Sequence, residues 1–328
     1  MTIDDIAKEL NISKTTVSRA ISGKGRVSEG TRDRVLEYIK RINYKPSAIA
    51  KGLANSKTMN IGFVMPGESD IVDMPFFQTC IWGITSMAAR MDYDVFISMV
   101  TENDISGLIR LVENHKVDGV ILGRTYVTDK AVAYLLEKEI PFVTVGTSEI
   151  PGVIQVDNND RGGCMEMTNL LLLKGMQRLA LIGGNSSHMV NNNRLNGYRD
   201  GYAKAGIAVD ESLIHMNVTN AYMVNSIVDN LLKQNVDCII GMDDSLCGYI
   251  LTKLAKERIR IPEDIKVASF FNSSLLEHNQ PSVTSLQFDV AQLGMVSCMT
   301  LLNIIEKKEV TQRTLMGYEV IMKESTQE

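Results

Sequence analysis

Between Ser13 and Ile21 the chain reads S-K-T-T-V-S-R-A-I. Wound into a helix, this stretch puts Lys14, Thr15, Ser18 and Arg19 outward and turns Val17, Ala20 and Ile21 inward. Hydroxyls, an ammonium and a guanidinium on one helical face can meet the phosphates and base edges of a DNA major groove. An arginine there can fork two hydrogen bonds to guanine. The charge distribution points the same way. Residues 1–60 hold 12 Lys and Arg against 6 Asp and Glu, whereas the rest of the chain holds 22 against 33. A small basic head on a large acidic body predicts that the head meets a polyanion and the body does not.

The same search finds no catalytic constellation, so no enzyme activity and no cofactor are expected. No strand-following G-x-G-x-x-G, no G-x-x-x-x-G-K-S/T and no G-x-S-x-G occurs. Asp243-Asp244 could hold a cation, but no third ligand stands nearby in the sequence. His115, His188, His215 and His278 have no adjacent nucleophile, and their dispersal argues against a metal site. Cys80, Cys164, Cys238, Cys247 and Cys298 are five scattered thiols without C-x-x-C spacing, which suits reduced cysteines in a cytoplasm. No apolar run approaches the length of a membrane span, and MTIDDIAKEL lacks the apolar core of a signal peptide. The expected location is therefore cytoplasmic, with no membrane partner.

Three short helices must position the reading face. Thr2 and Asp5 have capping-box spacing, and Ile6, Ala7 and Leu10 give the first helix its apolar side. Asn11 and Ile12 make a turn, Ser13 caps the second helix with Thr16 at its third position, and Gly23-Lys24-Gly25 ends it. Ser28 caps a third helix whose buried stripe is expected at Val35, Leu36, Ile39 and Ile42. Two short helices joined by a tight turn, with a third behind them, match a helix-turn-helix. A three-helix cap with solvated charges fits the same periodicity; the basic balance and polar second helix favour DNA.

Residues 45–60, KPSAIAKGLANSKTMN, form a hinge. Pro46 can start a helix with Ala48, Ile49, Ala50 and Leu53 on one narrow face, but some eight residues are too few to stay helical alone in water. From Ile61 onward short apolar runs alternate with amphipathic stretches. Strands are expected at Ile61–Met65, Val95–Val100, Gly119–Leu122, Phe142–Val145, Leu179–Ile182, Cys238–Ile240 and Val267–Phe270, and a last one around Tyr318–Met322. Helices are expected between them at Phe76–Met91, Ser106–His115, Lys130–Lys138, Arg161–Lys174, Arg194–Ala205, Met223–Gln234, Ser245–Glu257 and Gln292–Lys307. Repeated βα units over some 260 residues imply two doubly wound parallel lobes, with a ligand cleft at the carboxyl ends of strands. The organisation is thus a head over 1–44, a hinge over 45–60 and a body over 61–328, in an α plus α/β fold.

Three head motifs carry a family resemblance: T-T-V-S-R-A-I, V-S-E-x-T-R-x-R-V and N-Y-x-P-S-A-I-A-x-x-L, in order and at family spacing. The head resembles the headpiece of the lactose-repressor/purine-repressor (LacI/GalR) family of bacterial transcription regulators. The body resembles that family's effector domain, itself similar to periplasmic sugar-binding proteins, through VDGVILG, IPFVTVG, VDNNDRGG, NNNRLNGYRDGY, GMDDSLCGYIL and IPEDIKVASFF. The resemblance implies that Lys14, Thr15, Ser18 and Arg19 read bases. It implies that Thr2, Ser13, Thr16, Arg26, Ser28, Thr31 and Tyr44 position phosphates. It adds Ala50 and Leu53 from the hinge, which folds on the operator as Leu53 wedges into the minor groove.

The implied partners are a pseudo-palindromic double-stranded operator, a second copy of the chain and a small-molecule effector. A dimer is expected rather than a tetramer, because Lys323–Glu328 carries no leucine heptads. The resemblance places the effector against Phe76, Phe77, Arg194, Asp243, Phe271 and Asn272, where aromatic faces stack on a sugar ring and charged groups hold its hydroxyls. Phe76 and Phe77 also read as ordinary core, and Arg194 as a salt bridge at a helix start. Three positions depart from the family: Met176 stands for a histidine, Ser269 for a glycine, and Phe271 for the Asp or Asn common in sugar-responsive members. S-F-F-N-S-S-L-L followed by P-S-V-T-S most resembles members that respond to maltose or maltodextrins. Purine corepression and control by a phosphorylated carrier protein are alternatives, as is a sugar-binding transport protein from another class.

Overall fold

The computed structural model describes residues 2–23, 25–42, 44, 57–68 and 75–327. The chain divides into two compact units, Met1–Met59 and Asn60–Glu328. In the first, α1 (Ile3–Glu9), α2 (Lys14–Ser22) and α3 (Glu29–Arg41) close over Ile6, Ala7, Val17, Ala20, Val35 and Tyr38. The caps follow the sequence. The Thr2 amide donates to Asp5 Oδ2 at 2.7 Å while the Asp5 amide donates to Thr2 Oγ1 at 3.3 Å, so two orphan N–H groups are satisfied reciprocally. The Thr2 amide and hydroxyl, both donating to the Asp5 carboxyl, hold it below its usual range. Ser13 Oγ accepts from the Thr16 amide at 3.1 Å, and Gly23, at φ +70°, ends α2 in the left-handed region.

Two expectations for α3 fail in part. Leu36 is 44% exposed, and Tyr38 takes the buried place. The inward stripe runs through Val35, Tyr38, Ile39 and Ile42 at helical spacing, which leaves Leu36 one step, about 100°, off that line. Ser28 stands at the N-cap of α3, its carbonyl accepting from the Arg32 amide at 2.9 Å, but its hydroxyl pairs with that of Thr31 at 2.7 Å rather than with a backbone amide.

The second unit is two βα lobes. The first sheet contains β1 (Asn60–Pro66), β2 (Asp94–Val100), β3 (Gly119–Leu122), β4 (Phe142–Val145), β5 (Gln155–Asp157) and β11 (Arg313–Leu315), in the order β11-β5-β4-β3-β1-β2. The second contains β6 (Leu179–Ile182), β7 (Ile214–His215), β8 (Cys238–Gly241), β9 (Lys266–Ser269), β10 (Thr284–Phe288) and β12 (Tyr318–Ile321), in the order β12-β10-β9-β8-β6-β7. Every pairing is parallel except β10 with β12. The central strands are buried on both faces, as expected for short runs such as G-V-I-L and L-A-L-I.

The connecting helices are α4 (Pro75–Arg90), α5 (Ser106–Glu113) and α6 (Lys130–Glu137) in the first lobe. In the second they are α7 (Asp160–Leu173), α8 (Met189–Ala205), α9 (Ala221–Leu231), α10 (Asp244–Lys256) and α11 (Ser274–Glu277). Helix α12 (Val290–Ile305) returns to the first lobe, where it packs on α4 and β4. The chain therefore crosses between the sheets three times, at 157–160, 288–290 and 315–318. The strands of only two to five residues at 155–157, 214–215, 284–288 and 313–315 carry too few apolar positions to show a period in sequence. Helix α8 begins at Met189, five residues before the expected Arg194. Asn191 and Asn192 look like loop residues, but their amides donate back to the Asn185 and Ser186 carbonyls at 2.9 Å each, anchoring the first turn.

Candidate nucleic-acid interface and ligand cleft

On α2, Lys14, Thr15, Ser18 and Arg19 are all exposed, while Val17 and Ala20 are buried beneath them. The face is thus presented as the periodicity requires. Lys14 Nζ lies 2.9 Å from Asp4 in an open ion pair, a contact worth little in water and readily exchanged for a phosphate. The Arg19 stem runs over Gly25, where a Cβ would sit 3.0 Å from Arg19 Cδ and where φ is +89°. The positive φ is what calls for glycine there, since the exposed Arg19 stem can shift by a few tenths of an ångström. Arg26 and Ser28 are exposed beside this face. The hydroxyls of Thr2, Ser13 and Thr16 are engaged in the caps of α1 and α2, and Tyr44 packs partly into the small core. Ala50 and Leu53 lie outside the described residues, as does Lys24.

In the larger unit a cavity of about 270 Å³ opens between the two sheets, at the carboxyl ends of their strands. Residues at or within three positions of six strand ends supply walls: Glu68 after β1, Arg124 after β3, Asp157 and Asn158 at β5, Asn185 after β6, Asp243 after β8 and Phe271 after β9. Phe76 and Phe77, from the first turn of α4, meet edge to face at 5.1 Å, and Phe76 meets Phe271 at 5.9 Å. Phe271 in turn stacks on Phe288 at 6.1 Å. These aromatics are both wall and core.

Arg194 has two partners of its own. Its Nε donates to Asp160 at 2.8 Å and one terminal nitrogen donates to the Met242 carbonyl at 2.7 Å, with the guanidinium 5.8 Å from the Phe271 ring. Arg194 therefore forms an ion pair, from inside α8 rather than at its start, and also lines the cavity. Arg124 lies 3.2 Å from Glu68, whose other oxygen accepts from Tyr126 Oη at 3.1 Å. Asp243 caps α10 by accepting from the Leu246 amide at 2.7 Å, and burial pushes its carboxyl above the usual range. Asp157 is raised by burial and by the neighbouring Asp160, though Thr147 donates to it at 2.7 Å. Burial and nearby Arg124 drive His188 down to about 3, so it is neutral at physiological pH.

Asn272 does not join this cleft. It lies instead in an adjoining groove that Phe271 also lines, where its amide donates to Glu277 at 2.8 Å. Sequence reasoning also missed Glu68, Arg124, Asp157, Asn158, Asp160 and His188. For Glu68, Arg124, Asp157 and Asn158 the available signal was position, since polar residues at or within two positions of a buried strand's carboxyl end in a doubly wound sheet belong to the cleft; Asp160 and His188 come from the starts of α7 and α8. One side of the cleft is zipped by the backbone: Val127 donates to the Ser187 carbonyl at 2.9 Å and Met189 to the Thr125 carbonyl at 3.1 Å. Among the described residues no group of His, Cys, Asp or Glu could hold a metal, and no helix is long and apolar enough to cross a membrane.

A three-helix unit with an outward basic face, on a chain that also carries a two-lobed ligand domain, defines a DNA-binding regulator. Residues 2–47 match the family of bacterial regulatory proteins of the lacI family, and residues 58–324 match the periplasmic binding proteins and sugar binding domain of the LacI family. The chain belongs to the LacI family of DNA-binding transcriptional regulators and is not an enzyme. It is 27% identical over 319 residues to catabolite control protein A of Streptococcus mutans, covering 96% of this chain and 95% of that one. It is 29% identical over 338 residues to the HTH-type transcriptional regulator MalR of Streptococcus pneumoniae, covering 98% and 99%. Among solved structures, the lac repressor dimer bound to operator and an anti-inducer aligns over 99% of both chains, with a TM-score of 0.83 at 20% identity. The regulator CelR in complex with cellobiose aligns over 99% of both, at 0.74 and 24%.

Proposed function

We propose that this protein represses carbohydrate-utilisation genes by binding a pseudo-palindromic operator as a homodimer, and that a sugar entering the cleft changes its hold on DNA. The observation that carries the reading is the pairing of two sites in one chain. An exposed Lys14-Thr15-Ser18-Arg19 face stands on a capped helix, and a cleft of aromatic rings, carboxylates and guanidiniums lies at the strand ends. Phe76 and Phe77 offer faces for the C–H side of a pyranose, and the charged groups offer forks for its hydroxyls. Malto-oligosaccharides are the first effectors to try, given the S-F-F-N-S-S-L-L stretch and the likeness to MalR.

The division into a head over 1–44, a hinge over 45–60 and a body over 61–328 belongs to the same proposal, with Ala50 and Leu53 contributing from the hinge. Exposed apolar side chains support the dimer. Phe96, Ile97 and Met99 stand out on β2, the edge strand of the first sheet, with Trp82 exposed on α4 before it. An apolar, open strand edge calls for a cover, and a second copy of the chain provides one. The test is a mobility shift on the protein's own promoter DNA with and without maltose and maltotriose, alongside sedimentation of the free protein. Sequence-selective binding by a dimer, altered by sugar, is expected. Binding that ignores sequence, or a monomer in solution, would overturn the reading.

A further inference from the structure

The head is basic, yet a carboxylate stands on its reading side. Asp4, in the first turn of α1, lies 2.9 Å from the ammonium of Lys14, the first residue of α2. It is the one ion pair among the described residues of the head. The two side chains are 64% and 55% exposed for Lys14 and Asp4, so the pair adds little to the stability of the unit. Nor does α1 need Asp4 for its cap, because Asp5 closes that end with Thr2 in a reciprocal pair of bonds. What remains for Asp4 within the head is the modest attraction of a carboxylate for a helix N-terminus.

On DNA such a residue opposes binding unless it finds a donor. The duplex carries one negative charge for about every 1.7 Å of its axis, and a carboxylate at its surface is repelled whatever the sequence. In water the pair parts easily, and Lys14 can leave for a phosphate, but Asp4 then faces the backbone alone. Both charges are matched only where the groove offers acceptors to the ammonium and, beside them, a donor to the carboxylate.

A G·C pair offers that order. Across the major groove it presents guanine N7, guanine O6 and then the cytosine amino group. O6 and the amino group are hydrogen-bonded to each other, about 2.9 Å apart. Lys14 Nζ and Asp4 Oδ2 have the same separation. The ammonium has three donors and can serve N7 and O6 together while the carboxylate accepts from the amino group. In an A·T pair the amino group stands between two acceptors, so a carboxylate on it is pressed against the second, and the thymine methyl crowds that edge.

We infer that Asp4 and Lys14 work as one unit that reads a G·C pair of the operator, Asp4 being the residue that turns a general phosphate contact into a selective one. This rests on the outward face of α2 meeting the major groove. The same carboxylate weakens the hold on random DNA, which widens the margin between operator and background.

The test is selection of binding sites from random duplexes by the full-length protein, followed by competition mobility shifts at several salt concentrations. The wild type should require G·C at one symmetric pair of positions. Asp4→Ala should relax that position about fivefold or more per half-site and leave the others as they were. It should also tighten binding to random DNA and steepen the log–log salt slope by about one per head, because Lys14 is released to a phosphate. A purely structural role in α1 moves neither readout. Lys14→Met, which leaves Asp4 in place, should relax the same position. Where circular dichroism shows that Asp4→Ala disturbs the head, Asp4→Asn takes its place. An Asp4 variant with wild-type base preferences and salt slope overturns the inference, as does a loss spread evenly over all positions, or A·T at the position that Lys14 governs. Preferences that persist unchanged in the Asp4 variants sink this unit and spare the regulator, whereas a wild type with no preference anywhere sinks both.

Discussion

Replacing Arg194 by alanine should destabilise the body before it says anything about ligand. The Arg194–Asp160 pair is 2.8 Å apart with side chains 9% and 6% exposed, so neither charge can be rehydrated when the other is removed. Breaking such a pair from one side leaves a buried, uncompensated carboxylate, and the Met242 carbonyl also loses its donor. The expected loss is about 3–5 kcal/mol. For a unit of this size that corresponds to about 6–10 °C in Tm. Arg194→Ala combined with Asp160→Asn should recover most of it, since no charge is then stranded. Arg194→Lys should recover little, because an ammonium cannot serve Asp160 and the Met242 carbonyl in one plane. Urea unfolding followed by circular dichroism measures all three. The reasoning is refuted if the single variant loses less than about 1 kcal/mol, or if the double variant is no more stable than the single. Effector affinity should therefore be compared in the double variant.

Arg19→Ala should remove preference for the operator over random DNA while leaving the body folded, at about 1–3 kcal/mol per half-site; competition mobility shifts showing equal losses on both DNAs would count against base reading. His188 is neutral when folded and titrates near 3, against about 6.5 in an unfolded chain, so between those values only the unfolded state takes the proton. Its contribution is complete above about pH 6.5 and is lost as pH falls, reaching about 1 kcal/mol near pH 5.5. His188→Gln should flatten stability between pH 7 and 5.5, with the similarly lowered His215 leaving a residual slope; an unchanged slope removes His188 from the account. Gly83→Ala should lower Tm, because a methyl there would strike the Ala291 carbonyl where α4 crosses α12, at about 1–3 kcal/mol. An unaltered Tm would show that the two helices can part freely.

The fold was legible wherever one physical signal dominated. Runs such as Leu179–Ile182 and Phe142–Val145 are buried on both faces, so continuous apolarity located them. The caps at Thr2 and Ser13 were readable because a hydroxyl three residues ahead of an amide is a local device. The errors arose where distant parts of the chain decide. Leu36 was placed inside α3 on hydrophobicity alone, but the orientation of that helix is set by Val35 and Tyr38 against α1 and α2. The strands at 155–157, 214–215, 284–288 and 313–315 exist because each has a sheet edge or neighbour to pair with, and at such lengths their own residues carry little information.

The candidate site divides along the same line. A polar face on a single helix is encoded by spacing, and Lys14, Thr15, Ser18 and Arg19 all reach solvent as that spacing requires. A cleft assembled from several strand ends is encoded by topology. Phe76, Phe77, Arg194, Asp243 and Phe271 converge there because doubly wound lobes bring strand ends together, whereas Asn272, one residue further on, turns away. What sequence could not supply is which charges are already paired. Arg194 taken alone advertises an anion site, but beside Asp160 it is a neutralised strut that leaves the remaining carboxylates to set the character of the cavity.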